Sequence, residues 1–171
     1  MRRFLMRLLP LMAIALLLSS CDGRPSDRAL PRAGRVETGG VAIPNVLVGL
    51  EVRPENVAEE FEGTEQSYVA MLGLFSLRED DLVRATLQVS TFNNLARPKD
   101  PTFRRSIINR MGTTRPRTIT VSNTPVFVTT QTDQNIFVWF EEEGFFVLTT
   151  HREFEFPRTL LRRVIDTKEK L

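Results

Sequence analysis

The sequence predicts an α+β domain, an antiparallel β-sheet of about six strands with two amphipathic helices packed on one face. Three features carry this. Residues 117–151 divide into four β-rich runs separated by turn formers, residues 100–111 have the punctuation of a capped helix, and an apolar stripe at helical spacing follows Pro157.

Taken in order, residues 46–52 read as a first strand, and Pro54 with residues 55–61 as a short acidic helix or turn closed by Gly63. Residues 67–77 are strongly apolar, Glu79-Asp80-Asp81 is a polar break, and 82–91 alternates again, so the two runs form a hairpin whose tip the acids solvate. In the next segment Asp100 is placed as an N-cap, Pro101 occupies the first helical position, and Gly112 is the stop. Phe103, Ile107, Ile108 and Met111 line one side of this helix, while Arg104, Arg105 and Arg110 project from the other.

The runs 117–121, 126–131, 136–142 and 145–151 are parted by Ser122-Asn123-Thr124-Pro125, Thr132-Asp133-Gln134-Asn135 and Glu141-Glu142-Glu143-Gly144, which predicts an antiparallel meander. Pro157 then opens the second helix, with Leu160, Leu161, Val164 and Ile165 on its apolar side and Arg162 and Arg163 outside. Alternation puts Phe137 and Trp139 on one sheet face, and Ile136, Val138 and Phe140 on the other. With both helices on one face, the other must meet further segments of the chain, a partner or an apolar ligand. Phe137 and Trp139 are the candidate apolar binding face.

The first 20 residues have a different logic. Arg2, Arg3 and Arg7 precede an uncharged run of eleven residues from Leu8 to Leu18, too short for the roughly 20 apolar residues that span a bilayer. A basic end followed by a short apolar run is the layout of an export signal. The run ends in Leu18-Ser19-Ser20-Cys21, which resembles the lipobox of bacterial lipoprotein precursors. That resemblance covers about the first 21 residues. It implies cleavage before Cys21, lipidation of the Cys21 thiol with a palmitate-type diacylglyceryl group, and a membrane-anchored protein on the extracytoplasmic side of the cell envelope. As the chain's sole cysteine, Cys21 has no partner for an intrachain disulfide. The expected organisation is a signal peptide at 1–20, a flexible tether at 21–40 rich in Gly, Pro and Ser, and one globular domain at 41–171.

Three of the 23 basic residues leave with the signal, so the remaining chain balances 20 bases against 21 acids. That disfavours a general nucleic-acid partner. The charge is unevenly placed. Arg97, Lys99, Arg104, Arg105, Arg110, Arg115 and Arg117 face the lone acid Asp100 within one stretch. Arg104, Arg105 and Arg110 are therefore the candidate contacts to a partner or a membrane surface.

Catalytic chemistry finds little support. The sole histidine, His151, is the one candidate general base for a hydrolase, yet none of Ser67, Ser76, Ser90, Ser106 and Ser122 sits in a Gly-x-Ser-x-Gly context. Carboxylates at 79–81 and 141–143 fall at hairpin tips, where acids are solvated. One histidine and one cysteine make a zinc site unusual, and no cofactor motif is present. The expected function is a non-catalytic binding or accessory module for an envelope protein or complex, with a carrier or sensor of an apolar ligand such as a lipid as the alternative.

Overall fold

The computed structural model describes residues 34–55, 69–92 and 99–170. The expected signal, Cys21 and most of the expected tether lie outside the described residues.

Tight turns dictate the architecture. Gly39-Gly40 (φ 58° and 69°), Val48-Gly49 (51° and 80°), Asp80-Asp81 (47° and 67°) and Ser122-Asn123 (46° and 63°) each place two successive residues in the left-handed region. This is the geometry whose twist matches that of an antiparallel hairpin, and Gly, Asn and Asp tolerate it best. The turns join β1 (Arg35–Thr38) to β2 (Val41–Pro44), β3 (Val46–Leu47) to β4 (Leu50–Glu55), β5 (Val69–Glu79) to β6 (Leu82–Phe92), and β7 (Arg117–Val121) to β8 (Thr124–Gln131). Helix α1 (Pro101–Met111) separates β6 from β7. After β8 follow β9 (Gln134–Phe140), β10 (Gly144–His151), helix α2 (Pro157–Thr167) and β11 (Glu169–Lys170).

The strands form two sheets. Eight lie in the order β3-β4-β5-β6-β10-β9-β8-β7, and three in the order β1-β2-β11, with antiparallel pairing throughout. The class is thus α+β, as the sequence predicts, but the main sheet has eight strands rather than about six. The extra elements are short. Residues 46–52 are split by the Val48-Gly49 turn, and Pro54 and Glu55 belong to β4 instead of opening a helix. The rest of that expected acidic helix lies outside the described residues.

The fold also begins before residue 41. Strand β1 occupies the end of the expected tether, and Gly39-Gly40 is a hairpin turn. A Cβ on Gly39 would sit 2.8 Å from the Leu72 carbonyl carbon, so the turn packs against the main sheet. Val36 is the one large apolar residue of β1, which is why composition alone reads the strand as linker.

The helices lie on opposite faces of the main sheet, which corrects the expectation that both cover one. Leu160, Leu161 and Val164 of α2 join Phe137, Trp139, Phe146, Leu148, Phe75, Leu77 and Leu87, with Val41 and Ile43 of the small sheet, in one buried cluster. Ile107 and Ile108 of α1 join Ile136, Val138, Phe145 and Val147 in a second. A sheet apolar on both faces needs cover on both, and one helix supplies each. The small sheet shares the α2 side, giving three layers. Its C-terminal strand β11 is held by the Arg35–Glu169 ion pair at 3.3 Å, and Lys168 beside it pairs with Glu141 at 2.5 Å over the ring of Phe146.

Helix α1 starts as its sequence predicts: the Asp100 carboxylate accepts the Thr102 N–H at 2.8 Å. Its stop has another cause than a left-handed cap. Gly112 is extended (φ −145°), and a Cβ there would lie 2.2 Å from Thr129 Oγ1, so glycine is required for close approach to β8.

A candidate binding surface on the α1 face

Helix α1 covers the half of its sheet face formed by β10, β9, β8 and β7. Beneath it, half-buried Phe92, Phe103, Phe127 and Phe140 surround buried Phe145. Their ring centroids lie 5.6 Å apart for Phe92–Phe103 and Phe140–Phe145, and 5.9 Å for Phe127–Phe140. Arg104 lies across this cluster, its guanidinium carbon 5.1 Å from the Phe140 centroid, which fixes the side chain by a cation–π contact.

Between α1 and the β7–β8 hairpin runs a groove of about 550 Å³, lined by Lys99, Arg104, Arg105, Arg115, Thr118 and Phe127 among others, with no acidic side chain among the described residues of its walls. The structure thus brings Arg104 and Arg105 together with Lys99 and Arg115. Arg110 is exposed on α1 but does not line the groove. The remaining sequence candidate from this stretch, Arg97, lies outside the described residues.

On β4, β5 and β6 the arginines have carboxylate partners. Arg53 bonds Glu51 at 2.8 Å and Asp81 at 3.4 Å, Arg78 bonds Glu55 at 3.1 Å, and Arg84 bonds Glu79 at 3.0 Å. Arg105 and Arg115 have none among the described residues. Unpaired like charges gathered round one concavity are an unsatisfied demand for anions.

The other half of the α1-side face, across β4, β5 and β6, is polar and cross-linked by those ion pairs. The Glu55 carboxyl is held below its ordinary value of 4.5, first by the hydrogen bond from Ser76 and next by that from Arg78. Glu51 is lowered chiefly by its bond from Arg53. A depressed carboxyl stabilises the fold above the ordinary value and loses that contribution as pH falls through the folded value. Glu55→Gln is therefore expected to be less stable than wild type near neutrality and to flatten the decline as pH falls below the ordinary carboxylate range. Urea melts across that range test it; parallel profiles would remove Glu55 from the account.

Phe137 and Trp139 do not present an exposed face. They are 4% and 0% exposed, sealed beneath α2 and the small sheet. The sequence correctly put Phe140 on the opposite face, where half-buried aromatic rings lie beneath Arg104.

His151 is exposed at the end of β10, where its Nδ1 accepts the Glu153 N–H at 3.4 Å. It lines a second groove with Glu79, Arg84, Phe154 and Phe156. The described serines point elsewhere: Ser76 donates to Glu55, Ser106 donates to the Phe103 carbonyl, Ser90 accepts from Gln88, and Ser122 is a turn residue. The acids of 79–81 and 141–143 flank opposite ends of β6, about 30 Å apart at a strand's rise per residue, so they do not share a cleft. Among the described residues, no three His, Cys, Asp or Glu side chains gather as a metal site, and no helix is long and apolar enough to cross a membrane.

No family model, curated protein or solved structure matches this chain.

Proposed function

We propose that this protein is a lipid-anchored extracytoplasmic binding module, non-catalytic, that contacts an anionic envelope partner through the α1 groove. The observation that carries the reading is charge segregation. Arginines of β4, β5 and β6 are paired within the chain, whereas among the described residues Arg105 and Arg115 have no carboxylate partner and line a concavity with no acidic side chain.

The layers support a protein partner over the bilayer itself. The described chain begins at Gly34, leading into β1 on the α2 side, and α1 lies in the opposite outer layer. Twelve residues link Cys21 to Gly34, with an r.m.s. span of about 20 Å if they behave as the linker that their composition predicts. Two acyl chains on Cys21 would anchor the chain stably. A link of that length, attached on the α2 side, biases that side toward the membrane and leaves the groove accessible to a protein.

Two measurements test the parts separately. Metabolic labelling with palmitate is expected in the wild type and absent in Cys21→Ala; labelling that persists overturns the anchor. Affinity capture from membranes, comparing wild type with Arg105→Glu/Arg115→Glu, is expected to lose partners in the variant. Identical partner sets overturn the groove.

A further inference from the structure

Among the described residues, strand β7 ends the main sheet and pairs only with β8. Its hydrogen-bonding direction follows from the turn. Val121 and Thr124 close the two-residue loop as a bonded pair, and bonded pairs alternate along an antiparallel ladder, so Ile119↔Val126 and Arg117↔Val128 are bonded and Thr120↔Pro125 is not. Pro125 independently requires this, having no N–H to give. The backbone N–H and C=O groups of Thr118 and Thr120 therefore point outward from the sheet, and both residues are exposed.

Natural edge strands are blocked by proline, bulges, charge or a covering segment. The β7–β8 register runs unbroken and β7 contains no proline, so the device present is charge: Arg117 at its start and Arg115 just before it. That charge is selective. A basic segment would meet like-charge repulsion from Arg105, Arg115 and Arg117 along this edge. An acidic strand meets no such penalty. The side chains of Thr118 and Thr120 lie on the α1 side, Thr118 within the groove wall, while Ile119 and Val121 pack toward the α2 side.

We infer that β7 accepts an extended acidic segment of the partner protein as a ninth, antiparallel strand, Thr118 and Thr120 exchanging its backbone hydrogen bonds and Arg105 and Arg115 meeting its carboxylates. This rests on the reading of the groove as an anion-binding surface. It adds the form of the partner: acidic residues at alternate positions opposite Thr118 and Thr120, with apolar residues between them beside Ile119. Those acidic residues are also the ones whose N–H groups face β7, because directly opposed residues share both the face and the bonding direction.

That coincidence makes the test sharp. The probe is a fluorescent ten-residue peptide alternating Glu and Val, titrated against the full-length chain in detergent micelles and followed by anisotropy. N-methylation of two Glu nitrogens is expected to weaken binding by at least about tenfold, and of two Val nitrogens to leave it unchanged, since charge is identical in the two peptides. Thr120→Pro removes an outward N–H that the β7–β8 ladder does not use, and is expected to lose the peptide while keeping its circular dichroism spectrum.

Equal affinity of the two methylated peptides overturns the strand. If Arg105→Glu/Arg115→Glu still abolishes binding in that case, the anionic groove stands alone; if it has no effect, both readings fall. Displacement by phosphatidylglycerol vesicles without sensitivity to methylation assigns the arginines to lipid headgroups and also overturns the strand.

Discussion

Trp139→Ala is expected to lower the unfolding free energy by about 3–5 kcal/mol, a large part of the roughly 5–15 kcal/mol that a domain of this size holds. Trp139 is fully buried at the centre of the α2-side core, and its indole stacks on Phe146 across the β9–β10 ladder, with centroids 5.1 Å apart and planes 6° from parallel. Removing it opens a cavity bounded by two strands and a helix, none of which can collapse into the space without breaking its own pairing. The indole Nε1 has no hydrogen-bond partner among the described residues, so it contributes packing and no polar bond. Trp139→Phe is accordingly expected to cost far less, about 1–2 kcal/mol, because the stack survives and an unsatisfied N–H disappears. Urea titration reads both as a shift in midpoint at constant slope. Equal losses in the two variants would mean that the stack does not hold the core.

Gly144→Ala is expected to destabilise the fold by about 3 kcal/mol through backbone overlap. A Cβ at Gly144 would sit 2.0 Å from the Ser90 carbonyl oxygen and 3.1 Å from Thr91 Cα. Those atoms belong to β6, in the middle of the sheet, and cannot swing aside as a side chain does. The end of β6 must move. With it go the Gly144↔Thr91 pair and the bonds that the Phe92 N–H and the Thr91 hydroxyl donate to the Glu143 carbonyl, at 3.0 and 2.9 Å. Gly40→Asn is the contrasting control. Its backbone is left-handed, which asparagine tolerates, and nothing lies within 4 Å of an added Cβ, so a change within about 0.5 kcal/mol is expected. Thermal melts of the pair test the distinction, and a mild Gly144→Ala would show that β6 and β10 approach less closely than described.

Particular elements show how much was legible in advance. The four strands after residue 117 emerge from sequence within about two residues of their observed ends, because each is bounded by residues that turn the chain for local reasons. Helix α1 was equally plain: Asp100, Pro101 and an apolar stripe are all local signals. Strands β1, β3 and β11 were not, since two to four residues with little apolar burial are held by pairing with segments distant in the chain. Gly112 and Gly144 read as a helix stop and a turn former, whereas both are glycine because another strand occupies the space of a Cβ.

The binding surface divides in the same way. The basic stretch is visible in composition, and the polar side of α1 points to Arg104 and Arg105. Their joining with Arg115 and Thr118 depends on how the β7–β8 hairpin sits beside the helix, and the face carrying Phe137 and Trp139 is the one that α2 seals. Both faces of β9 are apolar, and alternation separates them without saying which a helix will seal. Chain chemistry by itself determined the helix caps, the turns, the meander and the uneven charge, because those depend on neighbours within a few residues. Tertiary structure decided which helix covers which face, where a groove remains and which arginines lack a partner. Those outcomes depend on burying two apolar faces at once and on ion pairs between segments that meet only after the sheet has formed.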